Sequence, residues 1–201
     1  MKEKIWFYAK DALLNYCYMV TGAFLAFVIK MFTADNTIPG YLCSLLSLVN
    51  IGVYLFIIIT AYQKTGEEAM RKKHANDVQR RHMLETREFR ELDKMGEHNI
   101  KNPIIFTIIA EAPLALILLI TAILNLCGVP AVGLTNFIKV GFGMFYTFFY
   151  GISTSVSAYF VAFSLLLMPL GTVFGYYLGV KKAQKTYDKA ERLKKRVDGE
   201  I

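Results

Sequence analysis

The sequence predicts an all-α, polytopic membrane protein. It has about four transmembrane helices, an extra apolar segment that is re-entrant or interfacial, and a cytoplasmic helical segment between helices two and three. Three observations carry this. First, 55% of the 201 residues are hydrophobic, above the roughly 45–50% of an ordinary soluble domain, and they come in blocks rather than with amphipathic periodicity. Second, nearly all the charges, and with them the net +7, lie between the blocks and at the ends. Third, the apolar stretch Phe137–Leu178 is about twice as long as the ~20 residues that one crossing needs.

In chain order, residues 1–62 hold an N-terminal run and two helices. MKEKIWFYAKD carries the single tryptophan, Trp6, beside Phe7 and Tyr8, and such rings favour the headgroup level. This predicts a short interfacial run leading into helix one, Ala12–Phe32. A cleaved signal peptide fits less well, because the apolar run is long and Phe32 stands where a small residue is wanted. The link TADNTIPG, with Asp35, Asn36, Pro39 and Gly40, reverses the chain. Helix two, Tyr41–Tyr62, has no charge inside it. Its polar members Ser44, Ser47, Asn50 and Thr60 can bond back to their own helix, so Asn50 reads as packing before it reads as a pathway.

Residues 63–103 carry ten Lys/Arg and eight Asp/Glu. Good helix formers dominate, and Glu67/Arg71, Glu68/Lys72, Asp77/Arg81 and Glu97/Lys101 place acids four before bases. One or two helices outside the membrane are expected, with Ala75, Val78, Phe89 and Leu92 on one face. His82 and Glu85 interrupt a coiled-coil seam there.

Residues 104–180 hold helices three and four with the apolar segment 137–157 between them. Helix three, Pro103–Cys127, begins with a proline at its first turn, where no N–H is missed. It contains Glu111, the one acid inside an apolar run, at a cost of about 2.5–3.5 kcal/mol unless it is paired, protonated or wetted. Pro113 adds to it by withdrawing the N–H that the Ile109 carbonyl would accept. Residues 181–201 form a basic tail.

Lysine and arginine placement sets orientation. Lys2, Lys4 and Lys10, the ten bases of the middle segment and the eight after Val180 all belong in the cytoplasm. Both termini are then cytoplasmic and the number of crossings is even. That leaves Phe137–Leu178 one net crossing, read as a helix at Ala158–Val180 preceded by the segment 137–157, either re-entrant or interfacial. A single long kinked helix from Asn136 and a fifth crossing are the alternatives. Gly171, Gly175 and Gly179 form a stripe on helix four that admits another helix at close range.

The chain has no H-E-x-x-H, P-loop, G-x-S-x-G or metal-spaced cluster, so neither enzyme chemistry nor a cofactor is expected. Of the three cysteines, Cys17 reads as a small apolar residue, while Cys43 and Cys127 share an end of the predicted bundle and could pair only at disulfide distance. His74 and His82 read as exposed. Lys30 and Lys139 are predicted at the outer side, as interfacial anchors or as an outer basic ring favouring anions. Lys181, Lys182 and Lys185 are expected at anionic headgroups. The expected function is a homo-oligomeric pore, channel or transporter subunit assembled through the glycine stripe. The alternative is a non-conducting anchor, sensor or accessory component recruiting a cytoplasmic partner through 63–103 and the tail. The expected partners are anionic lipids, further copies and a cytoplasmic protein, not nucleic acid, and the expected place is a bacterial cytoplasmic membrane.

Overall fold

The computed structural model describes residues 2–34, 37–87, 90–94, 96–155 and 157–197, and every element among them is helical. In order these are α1 (Lys2–Ala34), α2 (Gly40–Thr86), α3 (Lys101–Leu126), α4 (Val132–Gly141), α5 (Gly143–Ile152), a 3-10 turn (Ala158–Phe163) and α6 (Ser164–Val197). Four segments are long and apolar enough to cross a membrane: Asn15–Ala34, Gly40–Thr86, Lys101–Leu126 and Ala158–Val197. Phe89 and the turn residues Asp35 and Asn36 lie outside the described residues, as do the side chains of Phe7 and Tyr8.

Three helices run past the boundaries that hydropathy drew. The N-terminal run is part of α1, with Trp6 exposed. Helix two does not stop at Tyr62. It continues through the charged segment to Thr86, 47 residues in all, or about 70 Å at 1.5 Å per residue. Backbone bonding is indifferent to the change from apolar to charged side chains, and QKTGEEAMRKKHANDVQRRHMLET holds no proline and one glycine. Helix four likewise becomes α6 and runs into the tail as far as Val197.

The apolar segment is not one long helix. It forms two ten-residue helices, α4 and α5, meeting at Phe142, each about 15 Å long and half the thickness of a hydrocarbon core. Its two ends lie at the end of the bundle that carries the α1–α2 turn. There Ala131 N–H donates to Asn125 Oδ1 of α3 at 3.4 Å, and Gly151 abuts Gly40 at the start of α2. Its middle lies deeper. Gly143 packs on Ala23, Met144 reaches Gly22, and the Phe145 ring meets Tyr54 edge-on at 6.2 Å. Phe142 to Thr147 are all buried. Hydroxyl, thiol and amide groups tie this region together: Ser44 Oγ donates to Phe148 O at 2.9 Å, the Cys43 thiol faces Thr147 O at 3.8 Å, and Asn50 Nδ2 donates to Gly22 O at 2.8 Å. Asn50 therefore bonds across to α1, not along its own helix. Cys43 is buried and Cys127 exposed, and both are free thiols.

α2 and α6 run side by side in the same direction, and this pair is the spine of the molecule. Every glycine of the stripe meets α2 of the same chain. A Cβ at Gly171 would touch the Ile58 side chain at 3.3 Å, one at Gly175 would sit 2.5 Å from the Ile59 carbonyl oxygen, and one at Gly179 would overlap the Gln63 carbonyl. Gly66 reciprocates, accepting the backbone of Tyr176. The expectation that this stripe joins separate copies is thereby corrected: the face is filled from within, because α2 supplies the matching small residue. Gly179→Val should lower the detergent melting temperature by the equivalent of ~1–3 kcal/mol or more, since rigid backbone stands in the way. Gly52, with nothing within 4 Å of a Cβ, should accept alanine with no loss. Thermal unfolding of the two variants side by side checks the contrast.

Candidate functional site

Three regions hold the chemistry that the sequence flagged. The first is inside the bundle. Glu111 is half-buried on α3 beside the packed face of Phe106, Thr107, Ala110 and Leu114, and its Oε1 is buried without a hydrogen-bond partner. From α1, Tyr16 Oη donates to the Ala110 carbonyl, and Asn15 Nδ2 donates to Tyr62 Oη of α2 at 3.1 Å. Tyr54 of α2 lies within electrostatic reach of Tyr62, Tyr16 and Glu111. Asn15 Oδ1 and Tyr54 Oη are buried and unpartnered as well. Three helices thus surround a patch rich in oxygen acceptors. Pro113 does not share it, since that residue is exposed on the other flank of α3. A buried acceptor without a donor costs ~1–3 kcal/mol. Glu111→Gln should therefore keep or raise the melting temperature in detergent at neutral pH, and Glu111→Leu should raise it further. A fall of several degrees in the glutamine variant would show instead that the carboxylate is held by a partner.

The second region is at the turn end. Lys30 Nζ of α1 sits 5.0 Å from the centre of the Tyr146 ring and 4.8 Å from that of Tyr150, while Lys139 Nζ of α4 sits 5.5 Å from the Tyr146 ring. These are cation–π distances. Both lysines of the expected outer ring meet within one chain, on α5.

The third region is the extension of α2 and α6 beyond their apolar segments. Lys182 Nζ bonds Glu67 at 2.7 Å, and His74 stacks on Tyr187 with ring centres 4.0 Å apart. Glu67 also pairs with Arg71 at 3.7 Å, as its spacing predicts. Lys182 is accordingly engaged by a carboxylate, and it is exposed, as Lys181 and Lys185 are. The buried face of α2 here is Gly66, Ala69 and Asn76; Ala75 and Val78, expected to share a face, are exposed. The chain after Thr86 returns along α2. Lys72 and Asn76 hold Asp93 through its carboxylate and carbonyl at 2.6 and 3.0 Å, Arg80 reaches Glu97 at 3.7 Å, and His98 N–H donates to the Ala69 carbonyl at 3.0 Å.

His98 Nδ1 also shares a hydrogen bond with Tyr176 Oη at 3.1 Å. Burial, aided by the Lys73 charge, holds the pKa of His98 below its ordinary value. The docked imidazole is therefore neutral. Its contribution is complete above the ordinary pKa of about 6.5 and is lost as the pH falls below it, because the released segment takes up the proton first. Amide exchange in 96–100, corrected for intrinsic rate, should be less protected at pH 5.5 than at 7.5. His98→Gln should remove that difference.

Sequence reasoning located Glu111, Lys30, Lys139 and the glycines, but not their partners. Asn15, Tyr54, Tyr146 and Tyr150 are ordinary members of apolar runs. Gly66 alone gave a signal, as a single glycine in a helix-forming segment. Among the described residues no three His, Cys, Asp or Glu side chains are grouped as metal ligands. Compared with known proteins, the chain matches no family model, no curated protein and no solved structure.

Proposed function

We propose that this chain is a membrane-anchored accessory component that displays a rigid helix pair in the cytoplasm as a docking post for a protein partner. The observation that carries the reading is the unbroken passage of α2 and α6 from their apolar segments into a charged extension, where they stay paired through Lys182–Glu67 and His74–Tyr187. A helix pair that served only to cross the bilayer would have no need to continue in register beyond it. The positive-inside rule puts this extension and both termini in the cytoplasm. Its far end exposes Val78 and Leu84 of α2 and Leu193 and Val197 of α6, apolar side chains that a partner would cover. In this orientation α4 and α5 form a re-entrant segment dipping from the outer face. Non-helical backbone at membrane depth needs either protein or water around it, and Phe142–Thr147 are surrounded by protein, so the dip requires no pore.

A photo-crosslinker placed at Leu84 or Leu193 in cells should give a discrete protein adduct, and one at lipid-facing Phe56 should not. The adduct should vanish when Leu84 and Leu193 are both changed to Glu. Absence of any protein adduct from the tip positions would remove the reading.

A transporter subunit is the second reading, favoured by the unpartnered oxygens of Glu111, Asn15 and Tyr54. It would use a face other than the glycine stripe to assemble copies. Ion flux into proteoliposomes, abolished by Glu111→Gln, would replace the first reading with this one.

A further inference from the structure

The lysine pair at the turn end is not explained by a docking post at the other end of the molecule. Lys30 and Lys139 come from different helices, are separated by more than a hundred residues, and place both ammonium groups within 6 Å of the centre of one tyrosine ring. Lys139 lies in the last turn of α4, where a cation is favoured, whereas Lys30 stands before the last turn of α1. The dipole accounts for a lysine at 139 but not for the convergence of two like charges. Among the described residues no carboxylate pairs with either. Both are partly buried, so water screens them incompletely.

Beside them is a place for a ligand. A cavity of about 410 Å³ opens between the α1–α2 turn and the end of α5, lined by Thr33, Gly40, Tyr150, Gly151, Ser153 and Thr154 among others. Tyr150 belongs to both features: its ring carries the Lys30 ammonium 4.8 Å from its centre, and it forms part of the cavity wall. The Ser153 and Thr154 hydroxyls line the cavity, the Lys30 ammonium stands over the Tyr150 ring in its wall, and the Lys139 ammonium stands over the neighbouring Tyr146 ring; such a set suits an anion with several oxygens. Such an anion would convert the repulsion between the lysines into two attractions, and the lysines could leave the ring faces to reach it.

We propose that Lys30, Lys139 and this cavity form a binding site for a phosphate group, whether of an anionic phospholipid or of a free phosphate. The site rests on the fold alone and is independent of the docking-post reading.

The test uses the full chain in neutral detergent, with thermal unfolding followed as dioleoylphosphatidylglycerol or inorganic phosphate is titrated. The Lys30→Gln/Lys139→Gln double variant is compared with a Lys181→Gln/Lys185→Gln tail variant, which controls for diffuse attraction to the basic tail. The wild type and the tail variant should show a saturable rise in melting temperature, and the double variant at least a tenfold weaker response. A rise with the phospholipid alone identifies a headgroup, and a rise with inorganic phosphate identifies the free ion. Lys139→Gln alone, on the less buried α4, serves if the double variant does not fold, and should also weaken the response. The proposal is overturned if neither probe shifts the wild type, or if the lysine variants respond as the wild type does.

Discussion

Close approach of α2 and α6 is the constraint on which the rest of the structure depends. In hydrocarbon, helices gain nothing from hiding apolar surface, so association relies on van der Waals fit and on bonds that close contact makes possible. Glycine at 171, 175 and 179 on one helix and at 66 on the other brings backbone against backbone. With the two axes so near, Tyr176 is fully buried and reaches His98, and Thr107 and Thr172 hydroxyls meet at 2.6 Å to attach α3. Because the two helices are parallel, the same register carries on past the apolar segments to Lys182–Glu67 and His74–Tyr187. The extension is thus ordered by a fit made inside the bundle.

A second layer is built on the opposite end of that spine. α5 occupies the angle between α1 and α2, running antiparallel to the start of α2 from the level of Asn50 to Gly40. Small residues again make room: Gly22 and Ala23 for Met144 and Gly143, Gly40 for Gly151. The outcome is a bundle that is tightly tied at the turn end. Among the described residues, the buried side-chain oxygens without a partner are those of Glu111, Asn15 and Tyr54, together with Ser47. Charge is divided in a similar way, with two lysines on tyrosines at one end and an ion-paired but net-basic extension at the other.

What was legible in the sequence followed from local physics. About twenty apolar residues without a charge suffice for a span whatever they pack against, so blocks, turn residues and the placement of Lys and Arg together led to an expectation of four crossings, and four helices are long and apolar enough to make them. Glu111 stood out because a carboxylate in an apolar run is costly in any fold, and Lys30 and Lys139 because lysine is rare within such runs. The extents of α2 and α6 were misread because hydropathy reports where a helix leaves the membrane, not where it ends.

The sequence by itself determined the helical, apolar class of the protein and the residues that could not be ordinary lipid-facing positions. Those properties depend on transfer free energy and helix periodicity, which act residue by residue. Only the tertiary structure decided which partner the glycine stripe receives, since a small face fits a neighbour in the same chain as well as one in another copy. It likewise decided that Lys30 and Lys139 meet on Tyr146, that Asn50 bonds α1, and that Pro113 stands apart from the Glu111 cluster. Each is a matter of which faces turn toward one another among helices of similar composition, and periodicity gives a face its character without naming what lies opposite.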